Sequence, residues 1–256
     1  MRNSDLKKNI KNNQLTIGTW VTIPSIIIPD IYSKSNLDWI CVDMEHTAIS
    51  FNELQQLIIS CEKNNFPVLV RVGDHNSSNI KKIMDIGASG IIAANVNKKE
   101  EAVALIQSLK YPKVGKRGLG LYRAQEFGDS IESYIKWNND SSILVVQIET
   151  EESVKNISEI LALNEIDALM VGPYDLSASL GCPGDFNSKE YKEALQKILL
   201  EANKNNITAG IHSVDPDFNK AIEKINEGFK FISYSLDSIL LKNSMELGIN
   251  NIKKNI

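Results

Sequence analysis

The sequence predicts an α/β chain folded as a (β/α)8 barrel, a single domain over residues 1–256. Three observations predict it. Eight short apolar runs are spaced along the chain, segments of helical periodicity separate them, and polar groups cluster at the runs' C-terminal ends. Strand and helix alternating in this way indicate parallel strands with helical crossovers, and eight such units in this length fit a closed barrel. An open doubly wound sheet is the competing fold. It is weakened because no phosphate-cradling GxGxxG follows an early strand.

The runs read TIGTWV (16–21), DWICVDME (38–45), PVLVRV (67–72), GIIAAN (90–95), ILVVQIE (143–149), ALMVGP (168–173), TAGIHS (208–213) and FKFISYS (229–235). The first helical segment between them, residues 50–63, opens on Ser50 with Glu53 three positions on, a capping-box pattern. Its Leu54, Leu57, Ile58 and Cys61 then share one face. Residues 76–86 end at Gly87, as a C-cap requires. Segments 98–109, 151–162, 188–205 and 215–227 repeat the theme, the last ending at Gly228. An additional helix over 3–13 is placed to cap the barrel bottom. Residues 111–140 are the one long interruption. They hold a glycine-rich stretch, read as a hinged substrate loop, and a short helix at 130–140.

Composition excludes several classes. Hydrophobic residues make up 43% of the chain and the net charge is −4, which leaves no basic footprint for nucleic acid. Lys7, Lys8, Lys11, Lys253 and Lys254 read as solvated helix ends. Three cysteines without a CxxC pair argue against a disulfide framework. The polar N-terminus lacks a signal peptide's apolar core, and no run reaches the ~18 residues of a membrane span. The expectation is a cytoplasmic protein acting on small molecules, with no nucleic-acid or membrane partner.

At the run ends stand Trp20, Asp43, Glu45, His46, Arg71, Asn95, Gln147, Glu149, Asp175, His212 and Asp237. Glu149 and Asp175 end neighbouring strands five and six. Two carboxylates there suit Mg²⁺, Mn²⁺ or Co²⁺ and leave open positions for substrate. Both also stand where acidic residues cap helices. Arg71 needs an anion, which is either a substrate carboxylate or its neighbours Asp43 and Glu45. His46, flanked by acids, reads as a general base or as a solvated loop residue. Alternation sends Asp43 and Glu45 to the same side. His212 and Asp237 read as supporting or structural groups, His75 as exposed, and Trp20 as pocket wall or core. No lysine ends a strand, which disfavours imine chemistry and favours a metal-stabilised carbanion. GxSxG, Walker and HExxH motifs are absent.

From Gly18 to Asp237 the chain resembles the class II, metal-dependent pyruvate aldolases of the 2,4-dihydroxyhept-2-ene-1,7-dioate aldolase / 2-dehydro-3-deoxyglucarate aldolase family. The motifs that carry the resemblance are GTWVTIPS (18–25), DWICVDMEH (38–46), VLVRV (68–72), GASGIIAANV (87–96), YPKVGKRG (111–118), VQIET (146–150) and VGPYDLSASLG (171–181). The resemblance implies a TIM barrel with a divalent metal on Glu149 and Asp175, and Arg71 on the pyruvyl oxygen. It implies acid–base work by His46 with Asp43 orienting it, and a pocket glutamine at Gln147. Amides around Gly172 and Tyr174 would hold the pyruvate carboxylate. It also implies a homo-oligomer, a hexamer or trimer of dimers, exchanging C-terminal helices such as the tail LDSILLKNSMELGI. Ala94, Asn95, Thr47, Ala48, Tyr174, Ser235 and Leu236 depart from the family pattern, which leaves the aldehyde open. The activity expected is reversible cleavage of a 4-hydroxy-2-oxo acid to pyruvate and an aldehyde. The alternatives are an enolate enzyme acting on oxaloacetate or an acyl-CoA, and a barrel that only binds a 2-oxo acid.

Overall fold

The eight apolar runs form eight strands: β1 Thr16–Val21, β2 Trp39–Asp43, β3 Val68–Val72, β4 Gly90–Ala93, β5 Ile143–Ile148, β6 Ala168–Val171, β7 Thr208–Ser213 and β8 Phe231–Leu236. In the computed structural model, which describes residues 5–256, all strands pair in parallel and in chain order. β8 returns to β1, so the sheet closes and the doubly wound alternative is excluded.

Helix α1, Asp5–Lys11, precedes the barrel. The strand crossovers are α2 Ile27–Tyr32, α3 Phe51–Lys63, α4 Ser77–Ile86, α5 Lys99–Leu109, α6 Ile131–Ser141, α7 Glu151–Leu161, α8 Pro173–Ser179, α9 Lys189–Lys204 and α10 Phe218–Glu227, and α11 Asp237–Lys254 closes the chain. The capping box at Ser50 and Glu53 forms, and Gly87 ends α4 at φ 126°. The short helices α2 and α8 carry too few turns to show a period in the sequence.

Alternation within the strands sorts the core. Cys41, Leu69, Ile92, Val145, Met170 and Phe231 point into the barrel and fill its lower layers with Trp39. Intervening residues such as Val42, Val70, Ile91 and Val146 point outward and pack under the helices. The barrel walls leave little room for side chains where strands approach closely. A Cβ on Gly90 would stand 2.1 Å from the backbone oxygen of Ile143 on the paired strand. Neither backbone can move without breaking the ladder. Gly90→Ala is therefore expected to destabilise by about 3 kcal/mol, the upper end of overpacking costs, measured by urea unfolding.

The lower mouth is plugged by α1, whose Leu6 and Ile10 join the interior cluster. Lys7 is not a solvated end, and Lys11, although exposed, is held by the fold as well. Both reach the buried Asp167, at 3.2 and 3.1 Å, because that carboxylate needs cations inside the fold.

The interruption at 111–140 also differs from expectation. It follows α5 and leads into β5, so it arises at the end of the barrel opposite the strands' C-termini. Lys110 Nζ donates to the carbonyls of Asn138 and Ser142, both at 2.9 Å, and ties its start to its end. Arg117 is buried with its guanidinium 4.6 Å from the Tyr111 ring and pairs with Asp85 of α4. Tyr122 donates to Gln55 of α3. The segment is strapped along the helices and does not hinge over its own barrel mouth.

Candidate active site

The same alternation that fills the lower barrel with apolar groups delivers polar ones to its upper mouth. Two residues beyond Cys41, Leu69, Val145, Met170 and Gly210 come Asp43, Arg71, Gln147, Gly172 and His212. They surround a cup with two connected lobes, an outer one of about 570 Å³ and an inner one of about 210 Å³. Trp20, His46, Arg71, His212 and Leu236 line both lobes.

Arg71 is 9% exposed, and its partner comes from the chain. Its Nε donates to Asp43 Oδ1 at 2.8 Å and one Nη to Oδ2 at 2.5 Å, a bidentate pair between registered strand neighbours. Glu45 Oε2 lies 3.4 Å from Nε, and the guanidinium carbon sits 4.3 Å from the Trp20 ring. A guanidinium has five N–H groups. The fork onto Asp43 uses two, so pairing with Asp43 leaves donors for a substrate oxygen and the two sequence readings are compatible.

Burial alone would raise the Asp43 carboxyl. The hydrogen bonds and charge of Arg71, with the amides of Glu45 and His46, hold it below its ordinary 3.8. Those amides reach Oδ1 at 3.0 and 3.3 Å. Asp43 thus shapes the backbone of the loop carrying His46. The carboxylate beside the imidazole is that of Glu45, 3.7 Å from Nε2. The side chain of His46 is 61% exposed at the lip of the cup. Burial raises the Glu45 carboxyl, against the pull of Arg71 and His46. Thr47 Oγ1 donates to the Asp43 carbonyl and closes this turn.

Glu149, 3% exposed, stands just past β5. Its Oε1 accepts from the Asn95 amide at 2.7 Å and its Oε2 from the Gln147 side chain. Asn95 adopts φ 56°, a left-handed conformation that asparagine tolerates, and this aims its amide at Glu149. Asparagine's tolerance of φ > 0 was the signal in the sequence for that role. Gly172 closes the inner lobe. A Cβ there would stand 2.6 Å from Glu149 Oε2. Asp175 lies in the first turn of α8, and its charge reaches Glu149. Burial raises the Glu149 carboxyl, and Asp175 and Glu45 raise it further. Tyr174 stands exposed at the rim with its ring against Phe186.

Trp20 is both wall and core, 1% exposed yet lining both lobes. Asp237 is structural: its carboxylate accepts from the amides of Thr22 and Ile23, tying the end of β1 to α11. His75 is half-buried instead of exposed, with Nε2 on the Ala94 carbonyl at 2.8 Å. His212 faces the cup, and burial with the Arg71 cation pushes it from 6.5 to about 3.

Comparison with known proteins places these features in a family. The model described as HpcH/HpaI aldolase/citrate lyase matches residues 16–244. A 2-keto-3-deoxy-L-rhamnonate aldolase of Klebsiella pneumoniae is 28% identical over 94% of this chain and 90% of its own length. An HpcH/HpaI aldolase structure from Desulfitobacterium hafniense superposes with TM-score 0.90 at 28% identity, covering 97% of this chain and 96% of that one. A family structure from Burkholderia cenocepacia gives 0.92 at 23% identity, covering 98% and 100%. The chain belongs to the HpcH/HpaI aldolase/citrate lyase family and is a carbon–carbon lyase.

Proposed function

We propose that the protein reversibly cleaves a 4-hydroxy-2-oxo acid to pyruvate and an aldehyde. The observation that carries the reading is the cup itself: a buried, Asp43-anchored guanidinium with spare donors beside the buried Glu149, the half-buried Glu45 and the exposed Asp175 at the rim. The charges of Asp175 and Glu45 act on Glu149, whose burial makes their repulsion costly. An all-oxygen cluster of this kind fits a hard divalent cation, Mg²⁺, Mn²⁺ or Co²⁺, held by Glu149 and Asp175. Such a cation supplies Lewis-acid polarisation of the 2-oxo acid.

Arg71 and Gln147 hold the oxo oxygen, and Arg71 stabilises the negative charge that grows there as C3–C4 breaks. The amides around Gly172 and Tyr174, Pro173 between them having no N–H, receive the carboxylate at the start of α8, where helix N–H groups are free. His46, directly or through water, takes the C4 hydroxyl proton, and Asp43 fixes the loop that presents it. Trp20 stacks on Arg71 and holds the guanidinium plane in place. His46→Ala is expected to lower kcat for cleavage by ~10²–10⁴, the usual worth of a positioned base.

The test is pyruvate release from a 4-hydroxy-2-oxo acid with and without added divalent cation. Cation-dependent release is expected, and a protein inert toward such acids in its presence contradicts the reading. The apolar face of α11, with Leu241, Met245, Ile249 and Ile252 exposed, further supports a homo-oligomer. Sedimentation velocity reports it directly.

A further inference from the structure

The second half of the cup has its own chemistry. The inner lobe lies against Gly172, Asp175 and Gln147, where the 2-oxo acid half belongs. The outer lobe lies against Thr22, Glu53 and Ser238, which leaves it for the aldehyde half. His212 lines both lobes, at the junction where the bond is made or broken.

Its ring is held in one orientation. It lies 5.1 Å from the Trp20 ring, and its Nε2 is 3.2 Å from the Ser235 carbonyl. A carbonyl only accepts, so Nε2 carries the hydrogen and donates. Ser235 is a left-handed residue, φ 50°, at the register shift between β1 and β8. That local break in the ladder is what turns its carbonyl toward β7. With Nε2 committed, Nδ1 of the neutral ring is a lone-pair acceptor, and among the described residues it has no hydrogen-bond partner. An aliphatic side chain here would offer the aldehyde half only apolar surface.

Resting on the aldolase reading above, we propose that His212 determines specificity on the aldehyde side, its Nδ1 accepting a hydrogen bond from a hydroxyl on the aldehyde-derived half. Thr22 Oγ1 and Ser238 Oγ, 3.1 Å apart on the outer wall, extend the same preference for hydroxylated chains. A site built to bond a hydroxyl discriminates strongly against the analogue lacking it.

The experiment compares kcat/KM for addition of pyruvate to glycolaldehyde and to acetaldehyde, in the wild type, His212→Phe and His212→Gln. Phe keeps an aromatic ring against Trp20 and removes both nitrogens; Gln keeps an accepting oxygen. The wild type is expected to favour glycolaldehyde by at least about a hundred-fold, and His212→Phe to reduce that ratio at least about ten-fold. His212→Gln is expected to retain more of it, and carries the comparison if the Phe variant does not fold. A wild-type ratio near one, or a ratio unchanged in the variants, overturns the assignment. Exchange of pyruvate methyl protons in D₂O by the wild type separates the two failures. Exchange with an unchanged ratio rejects only the role of His212, whereas absent exchange rejects the aldolase reading and this inference with it.

Discussion

Arg71→Ala is expected to lower kcat/KM for cleavage of a 4-hydroxy-2-oxo acid by ~10²–10³, the usual cost of removing one preorganised electrostatic partner of a developing oxyanion. The loss falls mainly on kcat, because the charge Arg71 meets is fully developed only as the bond breaks. A second effect accompanies it. Asp43 is 3% exposed and is held ionised by the Arg71 fork. Without Arg71 it is a buried carboxylate lacking its partner, and such losses cost about 3–5 kcal/mol. Pairing Arg71→Ala with Asp43→Ala is expected to recover much of that stability and none of the activity, which separates the two roles. Arg71→Lys keeps the charge but not the fork, so its activity is expected to stay well below wild type. Steady-state kinetics and urea unfolding on the four proteins check all of this.

The second large effect concerns Glu149. Added Mn²⁺ at about a hundred times its Kd is expected to stabilise the wild type by ~2.7 kcal/mol, a rise in Tm of roughly 5–10 °C for a chain of this size. Glu149→Gln removes a ligand, and its shift should be close to zero. The metal-free comparison runs the other way. The folded-state pKa of Glu149 is raised above 4.5, by burial first and then by Asp175 and Glu45. The folded protein therefore retains a proton that the unfolded chain has released. Metal-free stability falls relative to Glu149→Gln as pH rises from about 4.5 through the folded value, and stays lower at neutral pH. Differential scanning fluorimetry from pH 4 to 8, with EDTA or with Mn²⁺, reads both trends. A Glu149→Gln protein that still gains the full Mn²⁺ shift would remove Glu149 from the cation site.

The barrel was legible in the chain because parallel strands buried on both faces must be nearly continuous apolar runs, and each run became a strand. The cup was legible for a related reason. Arg71 or Glu149 at the end of such a run is too costly to bury unless that end is a site. The detail was less legible, since it depends on backbone direction. The role of Asp43 in holding the amides of residues 45 and 46 is an Asx turn after β2, a use of aspartate that at a strand end reads equally as a site carboxylate. Lys7 and Lys11 read as solvent-facing because their partner, Asp167, is far away in sequence. The glycine-rich stretch within 111–140 read as a hinged substrate loop because loop length says nothing of which barrel end it leaves. Its position after a helix, not after a strand, decides that.

One assay goes straight to the centre of this account: ¹H NMR of pyruvate with the protein and Mn²⁺ or Mg²⁺ in D₂O, with no aldehyde present. Loss of the methyl signal that is quenched by EDTA, and slowed by both Arg71→Ala and Glu149→Gln, is the predicted result. A folded, cation-loaded protein that leaves those methyl protons in place would contradict it, because the carbanion chemistry assigned to the cup would then not occur.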